Sequence, residues 1–176
     1  MDSVDDPFAA WRALEAQREA LPLETQAIFI LICVESILSM RPTRDPAGQE
    51  YLRVIWDLFD GDRSRLPMVA DTLEERVDID DRDELAALFH AVRALRGSHE
   101  DAAWGAHRLL DDAYERIPRA VDQTSFPPLA DETAHEVVQD ELRWQRSVLE
   151  SLSAADLAAR IVYLRERART RRGVGH

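Results

Sequence analysis

Apolar residues recur along most of the chain at the three- and four-residue spacing of an amphipathic α-helix. Residues 51–59 and residues 85–95, for example, each place their large apolar side chains on one broad helical face. No segment alternates apolar and polar residues as a half-buried strand does. The pattern therefore predicts an all-α bundle of about eight mostly antiparallel helices. We expect them over residues 7–20, 23–40, 46–60, 65–77, 82–96, 99–117, 131–151 and 153–171.

Polar capping residues mark where several of these helices begin. Candidate N-caps or capping boxes stand at Asp6-Pro7, Asp45-Pro46, Ser98–Asp101 and Ser153–Asp156. The predicted connections are short except for residues 118–130, which include the pair Pro127-Pro128. We expect a single helical domain over residues 1–172, followed by a flexible C-terminal tail over residues 173–176.

The second predicted helix contains the least polar stretch of the chain, AIFILICV at residues 27–34, and a carboxylate, Glu35, follows it directly. At ~100° per residue, Glu35 falls on a narrow, weakly polar stripe of an otherwise apolar helix, which is typical of the central helix of a bundle. A buried carboxylate must pair with a cation or take up a proton. Glu35 is therefore either an acid or metal ligand at the base of a pocket or a structural acid paired with an arginine. We favour the second interpretation, with Arg53 or Arg93 as the partner.

The chain is acidic, with 34 Asp and Glu residues against 22 cationic residues, all of them arginine, and a net charge of -12. This excess of negative charge argues against nonspecific binding to nucleic acid or to an anionic membrane, and it favours a basic protein partner. Six arginines between Arg160 and Arg172 stand against one acid, Glu166. We expect these arginines to form a basic last helical turn and a solvated tail.

Targeting and membrane signals are missing from the sequence as given. The longest apolar run has eight residues, which is short of the ~20 residues that span a bilayer. The first residues lack the cationic and apolar regions of a secretory signal. The single cysteine, Cys33, lies in the apolar run, where a thiol behaves as a small hydrophobe. We therefore expect a cytoplasmic protein that does not enter a membrane.

Motifs for metal binding and catalysis are weak. Glu132 and His135 have the Glu-x-x-His spacing of di-iron bundles, but the motif occurs once, whereas such sites use two. Acids at helical spacing leave open an all-helical nucleotide hydrolase dependent on magnesium or manganese; they are Glu132, Glu136, Asp140, Asp112 and Glu115. The same spacing also arises on the solvated face of an acidic bundle. We therefore expect no metal and no cofactor, assign no catalytic residue, and place the tryptophans in the core or in groove walls.

Short matches to a known family are spread over residues 10–150. They are Leu21-Pro22, the helix ending Cys33-Val34-Glu35, Ile55-Trp56-Asp57-Leu58, the Ala91–Leu95 helix leading to Ala102-Ala103-Trp104, and His135–Leu142 with Gln145. In these segments the chain resembles a bacterial all-helical family known as domain of unknown function four-sixteen, together with related immunity-type proteins of toxin systems. The resemblance implies an all-helical fold and brings no established activity. It also implies that the helix carrying Glu35 packs against the helix carrying His135.

Together these observations predict a protein–protein interaction module and, in a more specific form, an acidic immunity protein that neutralises a basic toxin. Two alternatives stay open: the metal-dependent hydrolase, and a bundle that binds a small ligand in a pocket beside the second helix. The candidate functional or buried polar residues are Glu35, His135, Gln139, Glu136 and Asp140. Convergence of Glu35 with Glu136 or Asp140 around one cavity would favour an enzyme, whereas an acidic patch around an exposed tryptophan would favour a protein binder.

Overall fold

Helices account for nearly all regular structure in the computed structural model, which describes residues 8–41, 45–76, 78–118 and 129–172. The helices are α1 (Ala9–Glu19), α2 (Leu23–Met40), α3 (Pro46–Asp60), α4 (Leu66–Glu74), α5 (Asp83–Leu95), α6 (His99–Glu115), α7 (Leu129–Ala134), α8 (Glu136–Leu152) and α9 (Leu157–Thr170). A short 3₁₀ turn, Arg63–Arg65, precedes α4, and no strand occurs in the described ranges. The predicted all-α multi-helix bundle is confirmed.

Helix α2 lies at the centre of the bundle, as its sequence predicted. Every residue from Thr25 to Leu38 is buried, and the helix packs against α1, α3, α5, α6, α8 and α9. A helix that is apolar all round gains most from complete burial, because each buried Leu or Ile side chain contributes ~1.5–3 kcal/mol. By length and composition alone α2 could also span a membrane, but most of it is buried inside the bundle and a core helix meets the same criterion.

Two glycines have a defined position in the bundle. Gly105 on α6 faces α2 so closely that an added Cβ would lie 2.8 Å from Cδ1 of Ile30. Helices α5 and α6 form a hairpin whose turn includes Gly97 at φ +106°, a conformation that favours glycine. Ser98 then caps α6 by accepting a hydrogen bond from the backbone N–H of Asp101, as the predicted capping box requires.

Two predicted helix starts need correction, and some predictions concern residues outside the described ranges. The predicted helix over residues 131–151 is two helices, because His135 has an extended backbone and caps α8 by accepting a hydrogen bond from the N–H of Val137. Asp156, not Ser153, caps α9, and it does so from a left-handed conformation. Asp45 caps α3 as predicted, whereas Asp6-Pro7, residues 119–128 and the tail 173–176 lie outside the described residues.

Candidate functional site

Glu35 lies on the buried surface of α2 and is paired with two arginines of α9. Its Oε2 accepts a hydrogen bond from Arg165 Nε at 3.3 Å, and its Oε1 accepts one from Arg169 Nε at 2.6 Å. The two arginines are one helical turn apart, so they reach the same carboxylate from one face of α9. The predicted partners were wrong: Arg53 binds Glu50 and Asp57 on its own helix, and Arg93 binds Asp101.

A second buried carboxylate, Glu141 on α8, lies at the centre of a larger network of ion pairs and hydrogen bonds. Its Oε2 accepts hydrogen bonds from Arg116 Nη2 at 3.0 Å and from Arg171 Nη1 at 2.8 Å. Its Oε1 accepts one from Gln145 Nε2 at 3.2 Å. The side chain is fully buried, and a buried charge of this kind is tolerated only when it is paired and hydrogen-bonded.

Arg116 extends the network to Asp112, one turn earlier on α6. Arg116 Nε donates to Asp112 Oδ2 at 2.7 Å, and Arg41 Nη1, just after α2, lies 3.3 Å from Asp112 Oδ1. Burial raises the pKa of Asp112 to about 6, and the charges of Arg116 and Arg41 oppose that rise. The two arginines therefore offset part of the cost of burying this carboxylate.

Arg171 joins this network to α2 and to the surface of α8. Its Nη1 also lies 3.2 Å from Ser36 Oγ, and its Nη2 donates to Asp140 Oδ2 at 2.6 Å. Its side chain is only 9% exposed. Burial lowers the pKa of Arg171, but the carboxylates of Glu141 and Asp140 outweigh that effect and leave the pKa above its ordinary value. The expected solvated tail is therefore wrong for Arg171, which belongs to the interior.

The five residues singled out from the sequence do not converge on one cavity. Among the described residues, Glu35 pairs with Arg165 and Arg169, whereas Asp140 pairs with Arg143 and Arg171. In the same ranges no hydrogen bond or ion pair joins His135 or Glu136 to Glu35. His135 is a helix cap, Glu136 is exposed in the first turn of α8, and Gln139 Nε2 donates to the Thr133 backbone carbonyl at 2.8 Å. His135, Glu136 and Gln139 therefore all lie at the start of α8, where their contacts are with neighbouring residues in the sequence or with solvent.

The acids proposed for a metal-dependent hydrolase are also separated. Glu132 lies on α7, before the break at His135, while Glu136 and Asp140 lie on α8. Asp112 faces two arginines. Across the described ranges no three His, Cys, Asp or Glu side chains are grouped so that they could hold a metal ion. The arrangement instead neutralises carboxylates with arginine.

A cavity of about 260 Å³ lies beside the ion pairs of Glu35, between α2, α3 and α9. Glu35, Arg165 and Arg169 form part of its wall, and the guanidinium of Arg165 lies 4.2 Å from the ring centre of Trp56. Glu35 is therefore both paired and adjacent to a pocket. The carboxylate is already paired with two arginines, and the other polar side chains that line the cavity are Ser39, Gln49, Arg53 and Asp57.

A surface site that the sequence analysis missed lies where α1 meets α6. Trp104 was expected in the core or in a groove wall, but it is 52% exposed, whereas Trp56 and Trp144 are buried as expected. The ring of His107 lies between Trp104, at 6.2 Å, and Trp11, which it meets edge to face at 5.9 Å. We call this surface, with its acidic neighbours, the aromatic–acidic patch; it comprises Trp11, Glu15, Glu100, Trp104, His107 and Asp111.

The fold and its buried ion-pair network define an all-α helical bundle whose C-terminal helix is fastened to the core by arginines. No known protein family, no characterised protein and no solved structure matches this chain. Function is therefore inferred from the geometry of the chain itself.

Proposed function

We propose that this protein works by binding a basic protein through the aromatic–acidic patch. The observation that carries the proposal is the exposure of Trp104 on an otherwise regular helix. Tryptophan is among the residues that contribute most to protein–protein interfaces, because it buries a large rigid surface at low cost in conformational entropy. A half-exposed tryptophan surrounded by polar groups is typical of the centre of such an interface.

The spacing along α6 supports a continuous binding face. Glu100, Trp104, His107 and Asp111 follow one another at intervals of four, three and four residues, so they form one stripe along the exposed side of the helix. Trp11 extends the stripe sideways onto α1 through its contact with His107. The patch therefore spans two helices and about three turns of α6.

The charge of the patch indicates the chemistry of the partner. Glu15, Glu100 and Asp111 contribute three carboxylates, and the His107 Nδ1 lies 3.2 Å from Asp111 Oδ2. The chain as a whole carries a net charge of -12. An acidic surface accelerates association with a basic protein and repels acidic proteins, so a basic partner is favoured. In its more specific form the proposal is an acidic immunity protein whose partner is a basic toxin.

Site-specific photo-cross-linking in cells tests this proposal. A photoreactive phenylalanine derivative is placed at position 104 and, as a control, at position 162, because Val162 on α9 is also exposed. We expect an adduct at position 104 and none at position 162. The captured protein is then purified, and its binding is measured by calorimetry at low and at high salt.

The purified pair gives the decisive readout. Trp104→Ala is expected to weaken binding by at least about tenfold, as for a central aromatic residue, and added salt is expected to weaken it further. The matched control, Val162→Ala, should leave the affinity unchanged. An acidic partner, equal cross-linking at both positions, or an affinity that is insensitive to Trp104→Ala would overturn the proposal.

A further inference from the structure

A second cavity, of about 410 Å³, lies between the N-terminal half of α8 and the C-terminal end of α9, and it shares no residue with the aromatic–acidic patch. Four arginines line it, together with two hydroxyl side chains, one tryptophan and a single carboxylate. We call it the arginine pocket; its residues are Asp140, Arg143, Trp144, Ser147, Arg167, Thr170, Arg171 and Arg172. In a chain with more acids than arginines, four cations against one carboxylate is a reversal of the overall balance.

The four arginines differ in how far they are already neutralised. Arg171 is bound by Asp140 and Glu141, and Arg143 Nη2 lies 3.5 Å from Asp140 Oδ1. Arg167 has no ion pair among the described residues, and neither does Arg172. Two guanidinium groups of the pocket, those of Arg167 and Arg172, are therefore not paired with a carboxylate of the described residues.

Aromatic contacts hold one of these unbalanced cations in place. The guanidinium of Arg167 lies 5.5 Å from the ring centre of Trp144 and 5.7 Å from that of Tyr163. Arg171 lies on the same indole at 5.2 Å. A cation–π contact attracts a guanidinium to an aromatic face without using its N–H groups as hydrogen-bond donors. Arg167, which forms no ion pair among the described residues, can therefore donate to a ligand in the pocket.

We propose that the arginine pocket binds a small anion that carries more than one phosphate group. Guanidinium groups bind phosphate oxygens through paired, charge-assisted hydrogen bonds. A cavity lined by several guanidinium groups therefore suits a ligand with several negative charges better than a ligand with one carboxylate. The hydroxyl groups of Ser147 and Thr170 line the same cavity. Its volume lies within the usual range for small-molecule sites, ~300–1,000 Å³.

The size and charge of the molecule favour a small anion over a nucleic acid. A nucleic acid would bring many phosphates across the surface, and the net charge of -12 repels such a polymer. A compact anion places its charge inside the pocket, where the local balance is positive. Free diphosphate and a phosphorylated lipid headgroup share this chemistry, and experiment distinguishes the two sources.

Calorimetry with inorganic pyrophosphate tests the proposal on the full chain at low ionic strength. We expect saturable binding, with a Kd in the micromolar range, that weakens at least about tenfold in Arg167→Gln/Arg172→Gln. The control variant Arg65→Gln/Arg160→Gln changes the net charge equally at two exposed arginines outside the pocket. It should bind pyrophosphate within about twofold of the natural chain.

A measurement on the natural chain complements the variants. In a two-dimensional NMR spectrum, pyrophosphate is expected to shift the amide signals of Ser147 and Thr170 and to leave that of Trp104 in place. Vesicles containing a phosphoinositide provide the lipid arm: binding to them that free pyrophosphate displaces assigns a lipid headgroup to the same pocket. Neither pyrophosphate nor vesicle binding, equal loss in both double variants, or binding of an oligonucleotide in place of pyrophosphate would overturn the proposal.

Discussion

Arg171 connects three helices of the core, and its replacement by methionine is expected to destabilise the protein by about 3 kcal/mol. Its guanidinium contacts Glu141 at 2.8 Å, Asp140 at 2.6 Å and Ser36 at 3.2 Å. Removal of one partner from a buried ion pair costs ~3–5 kcal/mol, because the remaining charge stays buried without compensation. Glu141 keeps Arg116, so the lower end of that range applies.

Urea unfolding, followed by circular dichroism, measures this loss. A matched control is Arg172→Met, which removes an exposed arginine without an ion pair in the described structure and should change the free energy of unfolding by less than about 0.5 kcal/mol. In the double variant Glu141→Gln/Arg171→Met the carboxylate is also gone, so the loss should be smaller than the sum of the two single losses. An Arg171→Met protein as stable as the natural chain, or strictly additive losses, would show that Arg171 does not compensate the buried charge of Glu141.

Three further changes test local features of the fold. Burial raises the pKa of Asp83 to about 6 despite Arg108. Between about pH 4 and 6 the folded state therefore holds a proton that the unfolded chain has released, so the stability of the fold falls as the pH rises. Asp83→Asn should reduce that fall by about 1–2 kcal/mol in urea unfolding at pH 4.5 and 7.5, and an unchanged pH profile would contradict this expectation. Gly48→Ala should cost about 1–2 kcal/mol in thermal unfolding, because its Cβ would lie 1.9 Å from the carboxylate of Asp45 that caps α3. Burial raises the pKa of the Cys33 thiol well above its usual value. A thiol reagent should therefore label Cys33 in urea and not in the native protein, and fast labelling of the native protein would disprove its burial.

The helices could be predicted from the sequence because their signals are local. The apolar run of α2 indicated that this helix lies at the centre of the bundle. Asp45 and Ser98 each cap a helix by accepting a hydrogen bond from the backbone N–H three residues later. The break at His135 was missed because no glycine or proline marks it. A histidine that caps the next helix through its own ring is not distinguishable from a helical histidine in a periodic pattern.

The partners of Glu35 could not be predicted, for a different reason. Arg165 and Arg169 lie 130 and 134 residues away in sequence, and all 22 cationic residues are chemically the same. Local reasoning therefore chose arginines on neighbouring helices. The exposure of Trp104, by contrast, had a usable signal: its neighbours one turn away, Glu100 and His107, are both polar, as on a solvated helix face.

The pairing of the C-terminal arginines explains how a strongly acidic chain can present two surfaces of opposite sign. Arg165, Arg169 and Arg171 are taken up by carboxylates of α2 and α8, so their charge does not reach the aromatic–acidic patch. Arg167 forms no ion pair among the described residues and lines the arginine pocket. The arginine pocket and the aromatic–acidic patch share no residue, and surfaces of opposite charge favour ligands of opposite charge. Trp104→Ala should therefore leave the proposed binding of pyrophosphate intact, and Arg167→Gln should leave the proposed binding of a basic partner unchanged.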